Sequence, residues 1–593
     1  MSQPNVIATP TRHELPFCAA EFDTLTTALD YAAQGDTGAN FYTGRGNLYA
    51  TLTYRELRNQ ALELARKLLG LGLEPGARVA LVAETDPEFI RFFYACQYAG
   101  LVPVALPASV KVGAHHAYVA QLQLLLEASD AAVGVASEGY LPFLREASAG
   151  LSMHMVDAPQ AFHALRVTNQ ALPQIKPRDI SYIQYTSGST RFPRGVVITH
   201  QSAMANLRGI IAHGLMMNAR DRMMSWLPFY HDMGLVGFVL VPMAAQVSVD
   251  YLDTREFAMR PRQWLHLMTQ TRATISFAPS FGYDLCARRV RANDLDSYDL
   301  RNWRVAGIGA EMIRPETLDY FSELLEPCGF DRRAFLACYG MAECTLGVSF
   351  SPLWTGFTTH HIDSDHLADH HQAVLLDAND RQGRGRHFVN CGKLLPDFEV
   401  QIRDDDDQVL PDWHSGVIYL RGPSVMSGYF NLPEESRNAL CADGWLNSGD
   451  IGYLADGVLT ITGRKKDLII IHGRNIWPQD LEHIAESQPE VRSGDAVAFS
   501  VPDHEGEELC VLVVQCRETD THKRNNLVRR LTALLRMELS LDCYVELVPA
   551  HSLPRTSSGK LSRAKARLDF ISSHEPGCLN SVTEQFRLKV ASA

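Results

Sequence analysis

Apolar and polar residues follow two different periods along this chain, and the two periods alternate. The segment TYRELRNQALELARKLLGLG places apolar residues at helical spacing and closes on glycine, which predicts an amphipathic helix. The next apolar segment, RVALVAET, is typical of a short buried strand. The same rhythm returns in VVITHQSAMANLRGIIAHG and WRVAGIGAEMI. Strands that alternate with helices in this way predict a largely parallel sheet covered by helices.

One uncharged stretch, Phe92 to Val110, is long enough to span a bilayer. Gly100 and two prolines interrupt it, and Asp86-Pro87-Glu88 ahead of it has the residue types of a helix start. We therefore predict a buried helix that ends at Gly100, a strand over LVPVAL, and no integral membrane segment.

The pattern changes twice in the second half of the chain. Between Glu399 and Gly422 two alternating strands flank an acidic run, which predicts a hairpin with Asp404–Asp407 as its solvated tip rather than a metal site. Beyond about Gly463, the strands DAVAFSVP and CVLVVQCR and the helix NLVRRLTALLRMEL predict a small α+β domain. We expect the first residues to form a loose arm and those after about Phe570 to form a poorly ordered tail.

The composition is that of a multidomain globular protein. The 593 residues exceed what one compact core holds, and 46% hydrophobic with 21% charged residues excludes a mainly disordered chain. The net charge of −13 argues against a protein that coats nucleic acid. The 12 cysteines include no Cys-x-x-Cys pair, and the N-terminus has no basic region followed by an apolar run. Both features favour reduced thiols in a cytoplasmic protein.

The strongest local signal for chemistry is YTSGSTRFPRG, at Tyr185–Gly195, between two apolar strands. Glycine and small hydroxyl residues let successive backbone N–H groups turn inward, and such a concave nest holds phosphate oxygens. The residues that would contribute are Thr186, Ser187, Gly188, Ser189, Thr190 and Arg194. Composition alone leaves a plain surface turn as the alternative. The Walker pattern is absent, because a strand follows the loop instead of a helix.

YTSGSTRFPRG resembles the phosphate loop of adenylate-forming enzymes, the family of acyl-CoA synthetases, luciferases, peptide-synthetase adenylation domains and fatty acyl-AMP ligases. Further segments match this family in its order: LPFYHDMGLVG, GIGAE, YGMAE, GWLNSGDIGYL, GRKKDLIIIHGRNIWPQDLE and PRTSSGK. The resemblance implies an α/β fold. It has a large N-terminal domain of several subdomains, with parallel sheets and a β-rich subdomain, and a small mobile α+β C-terminal domain.

The resemblance also implies domain boundaries. We expect the loose arm at 1–20, the AMP-binding and acyl-binding domain at 21–466, the mobile domain at 467–570 and the tail at 571–593. Asp467 would be the hinge.

The resemblance assigns the nucleotide site. Tyr339 would stack on adenine, and Glu343 would bind Mg²⁺, for which a carboxylate is a suitable hard ligand. Asp450 would accept hydrogen bonds from both ribose hydroxyls, with Arg464 as a second ribose contact. Taken alone, Tyr339 is more typical of a core tyrosine and Asp450 of a turn residue. The remaining members are Gly309, Ala310, Glu311, Gly340 and Met341 at the nucleotide, and Thr186 beside Glu343 at the metal.

Lys560, in PRTSSGK, is the residue that we expect to carry the chemistry. An isolated lysine is commonly inert, but this one lies in a polar loop that can deliver a long cationic side chain into a cleft. When a carboxylate attacks the α-phosphate of ATP, two anions meet. An ammonium group lowers that repulsion and stabilises the transition state.

His231-Asp232 lies among aromatic and small apolar residues, where a histidine is commonly structural. General-base work is unnecessary, since a carboxylate substrate is already ionised near neutral pH. His231 stays among the candidate catalytic residues with Lys560 and Glu343. The resemblance implies that its segment lines or gates an acyl pocket formed by His231, Asp232, Met233, Gly234, Pro279 and Phe281.

Three features resemble the fatty acyl-AMP ligases within the family. Position 191 is arginine where most relatives have glycine, and GRNIWPQDLE is similar to their hinge-following motif. Between Glu343 and the segment NCGK lie 46 residues, Cys344–Val389, roughly twice as many as ordinary relatives need. The excess, at about 351–387, matches an insertion that is thought to restrain the C-terminal domain and disfavour coenzyme A. Its histidines and aspartates raise the alternative of a metal site, but its composition favours a solvated loop.

Two residues depart from the family pattern. Arg194 replaces the usual lysine, which keeps the charge but alters the geometry toward phosphate. Ser448 replaces the usual threonine. Both leave the affinity for the nucleotide open.

The expected protein is therefore a fatty acyl-AMP ligase that uses ATP and Mg²⁺. A fatty acid would become an acyl-adenylate and then pass to the phosphopantetheine thiol of an acyl carrier protein, in polyketide or lipopeptide biosynthesis. We expect no nucleic-acid partner and a monomer or weak dimer. An acyl-CoA synthetase is the first alternative, and a catalytically silent nucleotide-binding scaffold is the second.

Overall fold

The structure is a computed structural model that describes residues 15–108, 115–186, 193–377, 385–471, 474–492, 494–502, 508–539, 541–556 and 560–574.

The strands, in chain order, are β1 Gly38–Tyr42, β2 Leu48–Thr53, β3 Arg78–Val82, β4 Val102–Leu106, β5 Ala131–Val135, β6 Met155–Asp157, β7 Ile180–Thr186, β8 Arg194–Thr199, β9 Arg222–Ser225, β10 Ser248–Leu252, β11 Ile275–Ala278, β12 Val305–Ile308, β13 Phe335–Gly340, β14 Gly347–Phe350, β15 Thr359–Asp363, β16 Gly385–Val389, β17 Lys393–Leu394, β18 Glu399–Arg403, β19 Gly416–Arg421, β20 Leu446–Ala455, β21 Val458–Arg464, β22 Ile469–Ile471, β23 Arg474–Ile476, β24 Ala496–Pro502, β25 Glu508–Gln515 and β26 Tyr544–Val548.

The α-helices are α1 Leu25–Ala32, α2 Tyr54–Leu69, α3 Pro87–Ala99, α4 His115–Ser129, α5 Leu141–Ala147, α6 Pro159–His163, α7 His200–Gly209, α8 Asp232–Gly234, α9 Val241–Ala244, α10 Thr254–Met259, α11 Arg262–Thr271, α12 Ser280–Ala287, α13 Ala292–Leu295, α14 Pro315–Leu325, α15 Ser364–His370, α16 Pro433–Ala439, α17 Pro478–Glu486, α18 Thr521–Leu539 and α19 Arg563–Ser573. Ile210–Gly214 and Leu235–Leu240 are π-helical, and short 3₁₀ turns lie at Glu326–Cys328, Arg332–Ala334, Ala342–Cys344 and Lys465–Asp467.

Two large sheets carry the N-terminal part of the chain. One has nine strands in the order β17-β14-β13-β12-β11-β9-β10-β1-β2, and the other has six in the order β6-β5-β3-β4-β7-β8. Their central pairs are parallel, and antiparallel pairs lie at the edges. The predicted parallel sheet covered by helices is confirmed, with the difference that there are two such sheets.

The uncharged stretch folds as the sequence predicts. The Asp86 side chain caps α3 by accepting from the Glu88 N–H, Pro87 occupies the first turn, and Gly100 ends the helix at φ +65°. Glycine adopts that left-handed conformation at little cost. The strand β4 follows, and it is buried along its whole length. Within the described ranges, every helix is too short or too polar to cross a bilayer.

The β-rich part is an antiparallel sheet, β18-β19-β20-β21. The predicted hairpin is its first pair, and most of the acidic tip is exposed. Asp405 forms an ion pair with Lys465 at 2.6 Å, and Asp407 pairs with Arg403 at 3.1 Å. Asp404–Asp407 is therefore a solvated turn with basic neighbours, as predicted.

The C-terminal part is a separate sandwich around the sheet β24-β25-β26. One face packs on Leu481 of α17 and on Leu527 and Leu531 of α18. The other face packs on Ala566 and Phe570 of α19. The predicted small α+β unit is present, and α19 continues to Ser573, so residues 571–573 belong to its last helix and not to a tail.

The described part of the expected N-terminal arm is packed and not loose. The Cys18 N–H donates to the Gln246 side-chain oxygen at 2.8 Å, and Ala20 is fully buried against the main core. The apolar run PFCAA gives these residues surface to bury, which explains why they dock.

The insertion also folds more than its composition suggests. β15 pairs antiparallel with β16, and α15 lies between them in the chain. Ile362, Leu367 and Phe388 share a small core with Tyr453 of the β-rich sheet. The predicted solvated loop is therefore wrong for the described residues of this segment, because Ile362 and Leu367 bury their side chains in this core.

Candidate active site

A cavity of about 1850 Å³ opens where several parallel strands end. Thr186 closes β7, Gly309 follows β12, and Gly340 closes β13. Ligands of open α/β sheets bind at this edge, because loops after the strands converge there. Residues from the C-terminal part, including Lys560, line the same cavity.

The phosphate-loop residues are only partly described. Ser187, Gly188, Ser189 and Thr190 lie outside the described residues. Thr186 and Arg194 line the cavity. The Arg194 guanidinium lies over the ring of Tyr429, 5.4 Å from its centre, so the arginine that replaces the family's lysine is held by a cation–π contact.

The segment after β12 has a backbone that only small residues suit. A side chain at Gly309 would meet the Cys338 carbonyl oxygen at 2.8 Å, so the close approach predicted at this glycine comes from β13. Ala310 has φ +68°. Glu311 accepts a hydrogen bond from the Phe281 N–H at 3.0 Å, which fixes its carboxylate at the cavity wall.

Tyr339, Asp450 and Arg464 form one connected group. The Tyr339 hydroxyl donates to Asp450 Oδ2 at 2.7 Å, and Arg464 Nε lies 2.9 Å from Asp450 Oδ1. Burial and the neighbouring Asp450 raise the pKa of Tyr339, which keeps its hydroxyl a donor. The Asp450 carboxylate is thus oriented by two partners, and Gly340 and Met341 line the cavity beside it.

Glu343 follows β13 in a 3₁₀ turn and is half-buried. Its Oε1 accepts a hydrogen bond from the Tyr429 hydroxyl at 2.9 Å. Burial raises the pKa of Glu343 even though Tyr429 acts to lower it. A carboxylate whose charge is undercompensated in this way suits a divalent cation. Sequence reasoning missed Tyr429, since a tyrosine after Ser-Gly shows no local sign of its partners.

His231 and Asp232 sit at the start of α8. His231 Nδ1 lies 2.6 Å from Asp232 Oδ1, and both side chains accept from the Met233 N–H. Burial acts to raise the pKa of Asp232, but His231 and Lys560 together hold it below its ordinary value. This pair therefore adds negative charge to the cavity beside Lys560.

Backbone contacts between residues 555–556 and 560–561 hold Lys560 at the cavity. The Thr556 N–H donates to the Lys560 carbonyl oxygen at 2.7 Å, and Arg555 bridges to Leu561. Burial lowers the pKa of Lys560, while the carboxylates of Asp232, Glu311 and Asp450 oppose this. Three sequence motifs thus place a carboxylate near one ammonium group, as the resemblance implies for a reacting centre.

Apolar side chains that the sequence did not single out form the deep part of the cavity. They are Ile210, Leu215, Met223, Phe238, Phe277, Leu346 and Phe350. Of the predicted acyl-pocket residues, His231, Asp232, Met233 and Phe281 line the cavity.

Two predicted acyl-pocket residues, Gly234 and Pro279, do not line the cavity. A Cβ at Gly234 would lie 2.1 Å from the Pro228 carbonyl oxygen, so this glycine allows a tight turn. Pro279 precedes α12 as its N-cap residue. Both shape the backbone of the wall.

The cavity wall includes parts of both π-helical segments, Ile210 in the first and Gly237 and Phe238 in the second. Such widened turns are frequent at functional sites. Their irregular period hides these residues from a search for helical spacing.

Asp467, the expected hinge, follows β21 in a 3₁₀ turn and contacts Arg563 of α19 at 3.2 Å. Arg563 also pairs with Glu482 of α17 at 2.6 Å. The C-terminal part is tied to the rest by two further ion pairs. Arg386 of the insertion lies 2.6 Å from Asp480, and Arg314 contacts Glu486.

The histidines of the insertion do not assemble a metal centre within the described residues. His361 stacks on His387 at 4.5 Å between ring centres, and the His360 ring nitrogen lies 2.9 Å from the Tyr453 hydroxyl. Among residues that the structure describes, three close ligand side chains occur only at the exposed His115, His116 and Glu146.

Known proteins resemble this chain over nearly its whole length. Residues 29–430 match the sequence model of a family described as AMP-binding enzyme. A protein of Caulobacter vibrioides provisionally named an acyl-CoA synthetase is 46% identical, covering 95% of this chain and 98% of its own. The medium-chain-fatty-acid–[acyl-carrier-protein] ligase JamA of Moorena producens is 31% identical, covering 93% and 95%.

A solved structure from studies of fatty acyl-adenylate ligases of E. coli and L. pneumophila is also similar. It is 47% identical, it superposes with a TM-score of 0.89, and it covers 94% of this chain and 99% of that chain.

Proposed function

This chain belongs to the AMP-binding enzyme family, and from that premise we propose that it is a fatty acyl-AMP ligase. It activates a fatty acid with ATP to an acyl-adenylate and pyrophosphate, and then transfers the acyl group to the phosphopantetheine thiol of an acyl carrier protein. The observation that carries the proposal is the placement of Lys560 among the carboxylates of Asp232, Glu311 and Asp450, at one end of a cavity with an apolar interior.

The nucleotide is held by groups that the fold orients in advance. Asp450, fixed by Tyr339 and Arg464, accepts hydrogen bonds from the ribose hydroxyls. Thr186 and Arg194, which line the cavity, bind the phosphates. The segment from Gly309 to Glu311 borders adenine.

Lys560 acts on the first reaction. A carboxylate oxygen of the fatty acid attacks the α-phosphorus of ATP, and the bond from that phosphorus to the bridging oxygen breaks, so pyrophosphate leaves with the electron pair. Charge accumulates on the α-phosphoryl oxygens during this step. The Lys560 ammonium stabilises that charge, and its burial makes the effect larger than in solution.

Mg²⁺ fits the carboxylate of Glu343, with the Thr186 hydroxyl as a second hard oxygen at the same cavity. The raised pKa of Glu343 supports this assignment, because Tyr429 and Arg464 offset only part of the cost of burying its charge, and a bound cation would offset more. When bound, the ion neutralises phosphate charge. Tyr429 orients the carboxylate for it.

The acyl chain occupies the apolar end of the cavity, against Phe238, Phe277 and Phe350. A hydrocarbon chain gains about 0.8 kcal/mol for each methylene buried there. This gain favours a fatty acid over a short or polar acid.

The second reaction requires Lys560 to withdraw and a thiol to enter. A rotation of the part beyond Asp467 does both, and it must break the contacts of Asp480 with Arg386 and of Glu486 with Arg314. The acceptor is a carrier protein, since JamA is named as such a ligase and the chain carries the insertion. An acyl-CoA synthetase is the second candidate, because the Caulobacter vibrioides relative carries that provisional name.

ATP–pyrophosphate exchange with a panel of fatty acids tests the first reaction. We expect exchange that depends on the fatty acid and on Mg²⁺, with a maximum at one range of chain lengths. Absence of exchange with every chain length would contradict the proposal.

A further inference from the structure

A second cavity, of about 500 Å³, lies on the N-terminal part of the chain, apart from the active site. Its walls are the end of α10, the start of α11, the end of α12 and the start of α13. We call it the arginine pocket, because five of its residues are arginines: Arg260, Arg262, Arg288, Arg289 and Arg291.

The positive charge of the arginine pocket is only partly compensated. Arg262 pairs with Asp294 at 2.6 Å, Arg288 with Asp284 at 2.9 Å, and Arg260 with Glu256 at a longer 3.7 Å. Among the described residues, no carboxylate forms an ion pair with Arg289 or Arg291. Five guanidinium groups against three carboxylates leave two positive charges, in a chain whose net charge is −13.

The start of α11 adds to the same field. This helix has ten residues, its N-cap residue is Pro261, and no side chain caps it. Its first turn contains no acidic residue. The Gln263 and Trp264 N–H groups donate to the carbonyl oxygens of Arg260 and Pro261, so what the start of α11 adds is the positive end of its helix dipole.

Helix capping explains only part of this arrangement. Arg260 and Arg288 are the C-cap residues of α10 and α12, where a cation complements the negative end of a helix. Arg262 occupies the opposite position, the first residue of α11, where the dipole opposes a cation. Arg291 is the N-cap residue of α13, but capping gives no reason for Arg262 and Arg289 to share its cavity.

We propose that the arginine pocket binds a compact polyanion that carries at least two phosphoryl groups. Guanidinium groups match phosphate oxygens in pairs, which makes clustered arginines suited to such a ligand. The cavity has room for a molecule of this size and little more.

This pocket is separate from the phosphate loop. The helix α12 runs between the two sites, with Ser280 and Phe281 at the active-site cavity and Arg288 at the arginine pocket. Its eight residues span about 12 Å. Phe281 donates its N–H to Glu311 at the active-site cavity. A ligand in the arginine pocket therefore contacts the opposite end of α12, the helix that carries Phe281.

Calorimetric titration of the full chain with inorganic tripolyphosphate tests the proposal. Because the active site also accepts phosphates, the number of sites is the readout. We expect two sites in the wild type, one of which weakens as salt is raised. In Arg289→Glu/Arg291→Glu, that site should disappear or bind at least tenfold more weakly.

The matched control is Arg517→Glu/Arg529→Glu, which changes the total charge equally at two exposed arginines outside both cavities. It should keep both sites. An ATP–pyrophosphate exchange rate within twofold of the wild type shows that each variant is folded. If charge reversal impairs folding, Arg289→Gln/Arg291→Gln replaces the charge-reversed variant in the same titration.

Two results would overturn the proposal. The first is that the wild type has a single binding site for tripolyphosphate, or that the charge-reversed or neutralised pocket variant keeps both sites. The other is a pocket variant that binds tripolyphosphate like the wild type but loses transfer to a carrier protein. The arginines would then contact an acidic protein surface instead of a small polyanion.

Discussion

Lys560 is the residue on which the proposed chemistry depends most. Its ammonium group lies in a cavity that burial makes unfavourable for a cation, and the carboxylates of Asp232, Glu311 and Asp450 offset that cost. We expect these carboxylates to hold the Lys560 ammonium group at the cavity until a substrate with phosphates binds.

Replacing Lys560 with alanine should lower the rate of adenylate formation by about 10²–10³-fold, the loss typical when one preorganised donor to a transition state is removed. The thermal unfolding midpoint should change little. Lys523→Ala is the matched control, since Lys523 is exposed on α18 and pairs with Glu518 at 3.3 Å. Exchange activity that survives Lys560→Ala would refute the role given to this residue.

The lowered pKa of Lys560 predicts where activity fails at high pH. The charged form is the active one, so kcat/KM for adenylation should be flat below that pKa and fall above it, by up to tenfold per pH unit. This alkaline limb should start below the ordinary lysine value of about 10.4. In Lys560→Arg the limb should move upward whatever the rate, because arginine stays charged. An unmoved limb would assign the ionisation to another group.

Tyr429→Phe tests whether the Tyr429 hydroxyl positions Glu343. The ring that supports Arg194 remains, and only the 2.9 Å hydrogen bond to the carboxylate is lost. A hydrogen bond to a charged group contributes about 1.5–3 kcal/mol, so the Mg²⁺ concentration needed for half-maximal exchange should rise about tenfold, with a smaller change in the maximal rate.

The control for Tyr429→Phe is Tyr140→Phe. Tyr140 also lies under an arginine, Arg255, at 5.5 Å, but its hydroxyl donates to the Ala108 carbonyl oxygen at 2.8 Å, away from Glu343. The Mg²⁺ requirement of this variant should not change. Equal Mg²⁺ curves for both variants would mean that the hydroxyl of Tyr429 has no positioning role.

At the scale of single residues, the sequence predicted the site residues that lie within recognisable motifs. Lys560, Asp450, Glu343 and Glu311 all face the cavity as the resemblance implies. Tyr429 and the apolar wall were missed, because their partners are distant in the chain. The hydroxyl of Tyr429 meets a carboxylate 86 residues away, and no local pattern encodes such a contact.

The insertion acts as an element that fastens the C-terminal part. Its strand β16 supplies Arg386, which pairs with Asp480 in the first turn of α17, and the cation also lies over the ring of Phe388 at 4.7 Å. We expect this contact to hold Lys560 in the cavity and to oppose the rotation that admits a thiol.

Breaking the ion pair between Arg386 and Asp480 should increase the rate of acyl transfer to a thiol. Arg386→Gln and Asp480→Asn should each increase the formation of acyl-CoA from coenzyme A, by several-fold or more, while ATP–pyrophosphate exchange stays within a few-fold of the wild type. Mass spectrometry of thioester products measures both outcomes.

Arg332→Gln is the control for this comparison, because Arg332 pairs with Asp319 at 2.8 Å within the N-terminal part. Its product ratio should match the wild type. If Arg386→Gln forms no more acyl-CoA than Arg332→Gln, the insertion does not restrain the C-terminal part through this pair.

Regular elements were predictable and irregular ones were not. The hydrophobic pattern predicted helices and strands that the structure contains: the helices are α2, α3 and α18, and the strands are β3, β24 and β25. The two π-helical segments have no period that a pattern search recognises. The insertion looked polar because only a few side chains, such as Ile362 and Phe388, build its core.

At the scale of the whole molecule, two parts meet across one cavity. Residues up to the β-rich sheet supply the nucleotide and acyl surfaces, and the part beyond Asp467 supplies Lys560. The sequence predicted this division from the change of pattern near Gly463. The relative placement of the parts follows from ion pairs such as Arg314 with Glu486, which sequence alone does not reveal.

The net charge of −13 gave no information about the chemistry. The charges proposed to act in function are local, because a few cationic side chains within a cavity would determine which anionic ligands bind there. The same holds for the arginine pocket.

The central claim concerns which acceptor receives the acyl group. The most direct measurement incubates the wild-type protein with ATP, Mg²⁺, its preferred fatty acid and equal concentrations of holo acyl carrier protein and coenzyme A, and follows both thioesters by mass spectrometry. The account predicts rapid acylation of the carrier protein and little acyl-CoA. Rapid acyl-CoA formation, with the carrier protein left unmodified, would contradict it.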